Sequence, residues 1–193
     1  MSSKLVCNVG FNSGKYLAKH KHKLLREYEV WRGFLRRCYC PRVQKKQPTY
    51  IGCIVSENFK SYEYFYEWCQ SQIGFDQESY HLDKDLLAPQ TKIYSEDTCV
   101  FLPQELNKLL NCKRKSRGNF PLGVDLREGR YRSRLNLFGE SIDLGSFKTP
   151  EQAHNAYKQA KETYIKLQAE KWKALIDPRA YAALMAYEVS PTD

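Results

Sequence analysis

RYRSRLNLFGESIDLGSFKTPEQA, residues 130–153, decides the fold of the C-terminal part of this chain. From Arg130 to Leu137 the residues alternate. Tyr131, Leu135 and Leu137 take one side, and Arg130, Arg132, Arg134 and Asn136 take the other. Period two marks a strand with one covered face. Phe138-Gly139 reads as a hairpin turn and Glu140–Phe147 as the returning strand. Thr149-Pro150-Glu151-Gln152 then opens a helix. Threonine is the N-cap, proline takes the first helical position where no N–H is needed, and glutamine closes a capping box. Ala153, Ala156, Tyr157, Ala160, Tyr164 and Leu167 give its apolar stripe to about Lys171, and the alanines let it approach a sheet closely. Asp177-Pro178 breaks the run, and Ala180–Tyr187 reads as a last short helix.

Period-two spacing sets Arg130, Arg132 and Arg134 side by side, about 7 Å apart, on the face the helix leaves open. That strand has no acid on the same face, and Arg127 lies close by. An arginine fork matches guanine O6/N7 or a phosphate, and a β-ribbon fits the major groove. A merely solvated face is the usual fate of charged strand positions, but this grouping points to nucleic acid.

The composition agrees. The 193 residues carry 31 Lys+Arg against 22 Asp+Glu, a net charge of +9, which makes a polyanion the first candidate partner. The charge is segregated. Residues 15–46 hold eleven basic and two acidic side chains, residues 56–112 four basic and ten acidic, and residues 113–134 eight basic and two acidic. Two positive footprints flank an acidic centre, as suits a protein gripping phosphates at two places around a cation-requiring middle. Hydrophobic residues make up 42%, which excludes wholesale disorder. No apolar run reaches the roughly 18 residues needed to span a bilayer, and MSSKL lacks a secretory core, which implies a soluble, unexported protein.

Upstream, residues 1–14 read as a loose leader with Gly10 and Gly14. From about Lys19 to Cys38, Leu24, Tyr28, Trp31, Leu35 and Cys38 recur at helical steps, with Lys23, Arg26, Arg36 and Arg37 on the opposite face. A second helix is expected over about Lys60–Gln72, with Phe65, Trp68 and Cys69 inward. Tyr80–Leu87 and Thr98–Leu102 read as two strands, and Pro103 opens a helix through Asn107 to about Leu110. CKRKSRGNF, residues 112–120, reads as a basic linker whose Lys113, Arg114 and Lys115 also touch phosphate.

The run GVDLREGRYRSRLNLFGESIDLGSFKTPEQAHNAYKQAKETYI resembles the Apetala-type (ethylene-response-factor) DNA-binding domain over about Asn119–Lys171. The resemblance implies a three-stranded antiparallel sheet packed on one long helix, a turn at Leu144–Phe147, and Arg127, Arg130, Arg132 and Arg134 as contacts to double-stranded DNA.

WRGFLRRCY (31–39), PTYIGCIVSENFKSYEYFYEW (48–68), HLDKDLL (81–87), IYSEDTCVFLP (93–103) and Asn107 are similar to phage-borne HNH homing-type endonucleases, over about residues 28–110. That likeness implies a ββα metal module, cleavage of a DNA phosphodiester and residence in the cytoplasm of a bacterial host. Asp83 and Asn107 fall on its metal-ligand positions, for Mg²⁺ or Mn²⁺. Two positions depart from the pattern. Lys84 stands where the general-base His belongs, and lysine, titrating near about 10.4, is a charge at neutral pH. Thr98 stands at the central Asn position. Strand alternation puts His81, Asp83 and Asp85 on one face, so His81 or Asp85 could supply a base or ligand. A scaffold that kept the shape and lost cleavage, acting in DNA binding or on a host protein, is the alternative.

The seven cysteines are an odd number with no disulfide pattern, which implies reduced thiols in a cytosol. Cys38, Cys40, Cys53 and Cys69 have the wrong spacing for a paired zinc knuckle, and buried free thiols are expected instead. The expectation is an α+β chain with a leader at 1–19, an HNH-like nuclease module at 20–111, a linker at 112–118, an Apetala-type domain at 119–172 and a tail at 173–193.

Overall fold

Residues 5–110 and 120–189 are described in the computed structural model. They fall into two units, Met1–Pro103 with Leu175–Ala180, and Gln104–Ala174 with Tyr181–Asp193. The fold is α+β, and the second unit holds a three-stranded antiparallel sheet and a long helix. The division falls after Pro103, so α4 (Gln104–Leu110) belongs with the second unit. The linker read at 112–118 lies outside the described residues.

The first unit is organised by α1 (Arg26–Tyr39), which buries Trp31, Phe34, Leu35 and Cys38. The periodic run begins at Lys19, yet the helix starts only at Arg26. Lys19–His20 (β1) and Lys23–Leu24 (β2) instead pair around a two-residue turn. Lys21 and His22 take φ of 44° and 67° there, a left-handed conformation that no right-handed helix contains. α2 (Pro41–Lys46) follows, and α3 (Tyr62–Gln70) is capped by Ser61, whose Oγ accepts the Tyr64 N–H. Phe34, Phe59, Phe65 and Tyr94 pack ring on ring, with centroids 5.0–5.9 Å apart.

The described part of the expected leader is docked on this core. A Cβ at Gly10 would sit 2.3 Å from Leu35 Cδ1 and 2.8 Å from Trp31 Cζ2, so only glycine fits there. Phe11 donates its N–H to Lys60 O and accepts from Tyr62 N–H, each at 3.0 Å.

β3 (Ile54–Val55) pairs in parallel with β5 (Ile93–Tyr94), and β4 (Tyr80–Asp83) pairs antiparallel with β6 (Val100–Pro103). The strand read at 80–87 therefore stops at Asp83, where the side chain takes over the next backbone N–H groups and turns the chain. Pro103 closes β6, and the helix begins one residue later.

In the second unit β7 (Val124–Arg127), β8 (Arg130–Leu137) and β9 (Glu140–Phe147) lie in that order. They are joined by Glu128-Gly129 and Phe138-Gly139, all four at positive φ, as the two-residue turns compatible with strand twist require. The turn expected at Leu144–Phe147 is instead part of β9. Gly145, at φ 106°, forms a bulge opposite Ser133/Arg134 and not a reversal. α5 (Pro150–Trp172) starts at the proline with Thr149 as its N-cap, as read, Thr149 Oγ1 accepting the Gln152 N–H at 3.3 Å. Its buried stripe includes Ala153, Tyr157, Lys161, Ile165 and Ala169. Steps of four overshoot the 3.6-residue turn, so the stripe winds around the helix and leaves Leu167 exposed. Lys161 takes an inward place with Nζ over the Tyr157 ring. α6 (Pro178–Met185) follows the break at Asp177. Among the described residues no helix is long and apolar enough to cross a membrane.

Candidate nucleic-acid interface

β8 buries Ser133, Leu135 and Leu137 on the side where α5 packs, which leaves Arg130, Arg132, Arg134 and Asn136 on the open side. Directly paired residues of an antiparallel sheet share a face. The register therefore adds Asp125 and Arg127 from β7, and Ser141, Asp143 and Ser146 from β9, to that surface. Arg127 stands opposite Arg130, Asp125 opposite Arg132, and Asp143 opposite Arg134.

The arginine strand itself carries no acid on this face, but its neighbours do. Asp125 Oδ1 accepts from Arg132 Nε at 3.1 Å, and Oδ2 accepts from Arg132 Nη2 at 3.0 Å and from Arg134 Nη2. Donation from Arg132 is the main reason the Asp125 carboxyl lies below the usual range. The result is a graded set of forks: the Arg132 side chain is 21% exposed, Arg134 42% and Arg127 64%. Arg130 Nη2 donates to Ser146 O at 3.3 Å. Asp143 turns away, its Oδ1 accepting the Gly145 N–H at the bulge. A sequence signal for Asp125 exists. Glu128-Gly129 is a two-residue hairpin turn, and such a turn alone fixes Asp125 opposite Arg132.

The basic stretch 15–46 is only partly surface. Arg26 Nη2 donates to Tyr80 O at 2.6 Å, and its guanidinium lies 5.0 Å from the Phe75 ring. Arg37 Nε donates to Tyr94 OH at 3.0 Å, and its guanidinium lies over the Tyr50 and Tyr94 rings. Lys15 pairs with Glu67 at 2.6 Å. Lys19, Lys21, Lys23, Arg36, Arg42, Lys45 and Lys46 remain exposed. Lys113, Arg114 and Lys115 lie outside the described residues.

At the end of β4, His81 and Asp83 project from one face of the strand, with His81 exposed. Asp83 Oδ1 accepts the N–H groups of Asp85 at 2.9 Å and Leu86 at 2.8 Å. Burial raises its carboxyl above the ordinary value, with the Leu86 N–H opposing. Lys84 is buried on the other side, 5.7 Å from the Tyr94 ring, and ion-paired with Asp85. Burial works against its charge, but the Asp85 carboxylate outweighs this and holds the ammonium above its ordinary pKa. Lys84 is thus a fixed cation, and Asp85 is committed to it. Thr98 serves its own loop, accepting from Ser95 N–H and donating to Ile93 O. Asn107 lies on α4, in the second unit.

Hard divalent cations take about six or more oxygen ligands, usually with carboxylates among them. Among the described residues no three His, Cys, Asp or Glu side chains gather to hold a metal ion. Cys38, Cys53 and Cys69 are buried, and the described cysteines are free. Burial pushes the Cys38 thiol up to about 12 and raises Cys69 as well, which disfavours the thiolate that binds metals.

Compared with known proteins, the chain matches no family model, no curated protein and no solved structure.

Proposed function

We propose that this chain is a double-stranded-DNA-binding protein that grips the duplex with the open face of its three-stranded sheet. The observation that carries this reading is the placement of Arg127, Arg130, Arg132 and Arg134 on one uncovered face, with Arg127 and Arg130 directly opposite each other. Like charges directly opposed across strands are destabilising, and a phosphate between them removes that cost. The sheet presents its forks at strand spacing, the geometry with which a ribbon meets base edges and phosphates.

Binding without cutting is the form the centre favours. Asp83 Oδ1 is turned into its own backbone, Lys84 is held charged, and Asp85 is paired with it. Metal-dependent cleavage of a phosphodiester with Mg²⁺ or Mn²⁺ is the second reading, supported by His81 and Asp83 sharing a face of β4.

The test is fluorescence anisotropy of a labelled duplex across a salt series, beside plasmid incubated with Mg²⁺ or Mn²⁺. The expected result is binding that falls linearly in log–log salt, with no metal-dependent cutting. Cutting by the wild type that Asp83→Ala abolishes moves the conclusion to the nuclease. Absence of binding at low salt overturns the DNA reading and turns attention to an acidic protein partner.

A further inference from the structure

A guanidinium has five N–H donors in one plane. They form two edges able to make paired bonds: a side edge of Nε and Nη2, and an end edge of Nη1 and Nη2. At Arg132 the side edge is taken, because Nε and Nη2 donate to the two oxygens of Asp125 at 3.1 and 3.0 Å. The end edge is left, with both Nη1 hydrogens and the second on Nη2. Two parallel N–H groups on that edge match O6 and N7 of guanine in the major groove. Arg127 has no such clamp. Its single ionic partner among the described residues is Glu128 at 3.4 Å.

We propose that Asp125 is a positioning residue that fixes Arg132 as a guanine-reading fork, and so sets the base preference of the sheet. The inference rests on the DNA-binding reading and deepens it. Three features of the site carry it. Asp125 is the direct cross-strand partner of Arg132, so the pairing is built into the register and does not depend on a chance surface encounter. Asp125 also accepts from Arg134 Nη2, which ties two neighbouring forks to one carboxylate. Arg132 is the least exposed of the three arginine side chains compared on this face, as a held group should be.

The clamp has two consequences of opposite sign. It removes rotamer freedom from Arg132 before DNA arrives, so less ordering is left for binding to impose. It also cancels positive charge on the face, which weakens attraction to any phosphate backbone regardless of sequence. Discrimination rises while general affinity falls.

The experiment compares affinities for alternating dG-dC and alternating dA-dT duplexes of equal length, at one salt concentration, for the wild type, Asp125→Ala, Asp125→Asn, Arg132→Ala and the Asp125/Arg132 double alanine variant. The wild type is expected to prefer the dG-dC duplex. Asp125→Ala loses about tenfold of that preference while its affinity for dA-dT holds or rises. Asp125→Asn, which keeps an acceptor but not the charge, falls between. The double variant loses no more preference than Arg132→Ala alone. A preference unchanged in both Asp125 variants, additive losses in the double variant, or a wild type without preference overturns this inference and leaves DNA binding standing. A wild type that binds neither duplex overturns the DNA reading itself.

Discussion

The Leu86 N–H donates to Asp83 Oδ1 at 2.8 Å, and the same oxygen takes the Asp85 N–H at 2.9 Å. The carboxylate thereby works as a turn cap at the end of β4. Asparagine has the same acceptor without the charge. Burial raises the Asp83 carboxyl, so the stability tied to its protonated form is fully present below its unfolded value, near about 3.9. That stability is lost as pH rises through the folded value. Asp83→Asn is therefore expected to unfold at a higher temperature than the wild type at pH 7, with the gap closing as pH falls toward 4. Asp83→Ala leaves both N–H groups without that acceptor and costs about 1–2 kcal/mol. Thermal melts of the three proteins across pH decide it: an Asn variant less stable at pH 7 would count against the burial penalty on the charge, and an Ala variant as stable as the wild type would count against the cap.

Tyr157 lies against the backbone of Gly123. An added Cβ would meet Tyr157 Cδ2 at 2.1 Å, and φ at Gly123 is +81°. Gly123→Ala suffers both a left-handed backbone and a collision inside the contact between α5 and the chain entering β7. Together these cost roughly 2–4 kcal/mol. Urea denaturation followed by far-UV circular dichroism should show the loss. A midpoint within error of the wild type would mean that the ring does not pack there.

Arg37 illustrates why net charge overstates the grip. Its Nε bonds Tyr94 OH and its guanidinium covers two rings, so it is part of the core's edge and not of a phosphate-binding face. Arg37→Met is expected to lower stability by about 1–2 kcal/mol while leaving the salt slope of DNA binding unchanged. Lys21→Ala, at an exposed turn, is expected to leave stability within about 0.5 kcal/mol. Paired melts and salt titrations read both effects, and a reduced slope in Arg37→Met would return that residue to the DNA surface.

Much of the second unit was legible because its elements are strongly periodic and bounded by local chemistry. The β8 alternation, the Phe138-Gly139 turn and the Thr149 cap each act within a few residues of themselves. The first unit is less legible, because long-range contacts decide it. Gly10 reads as slack until Trp31 and Leu35 are brought against it, and Lys19–Leu24 reads as helix until two residues adopt left-handed backbone. The arginines are visible in the sequence, whereas the acid that holds two of them sits on the neighbouring strand, where only the hairpin register brings it opposite Arg132. Charge counted along the chain does not show which cations are buried, and Arg26, Arg37 and Lys84 all turn inward or lie under rings.

Arg127 and Arg132 should fail differently. Arg127 is the more exposed, carries no bidentate partner among the described residues and faces Arg130 across the ladder, the arrangement of a backbone contact. Arg127→Ala is expected to weaken binding to every duplex by a similar factor and to reduce the log–log salt slope by about one unit. Arg132 is clamped and presents one edge. Arg132→Ala is expected to cost roughly 1–3 kcal/mol on guanine-containing duplex, much less on duplex without guanine, and to change the slope less. Anisotropy titrations at several salt concentrations on the two duplexes separate the roles. If both variants lose affinity uniformly with equal slopes, the face holds phosphate alone and reads no base.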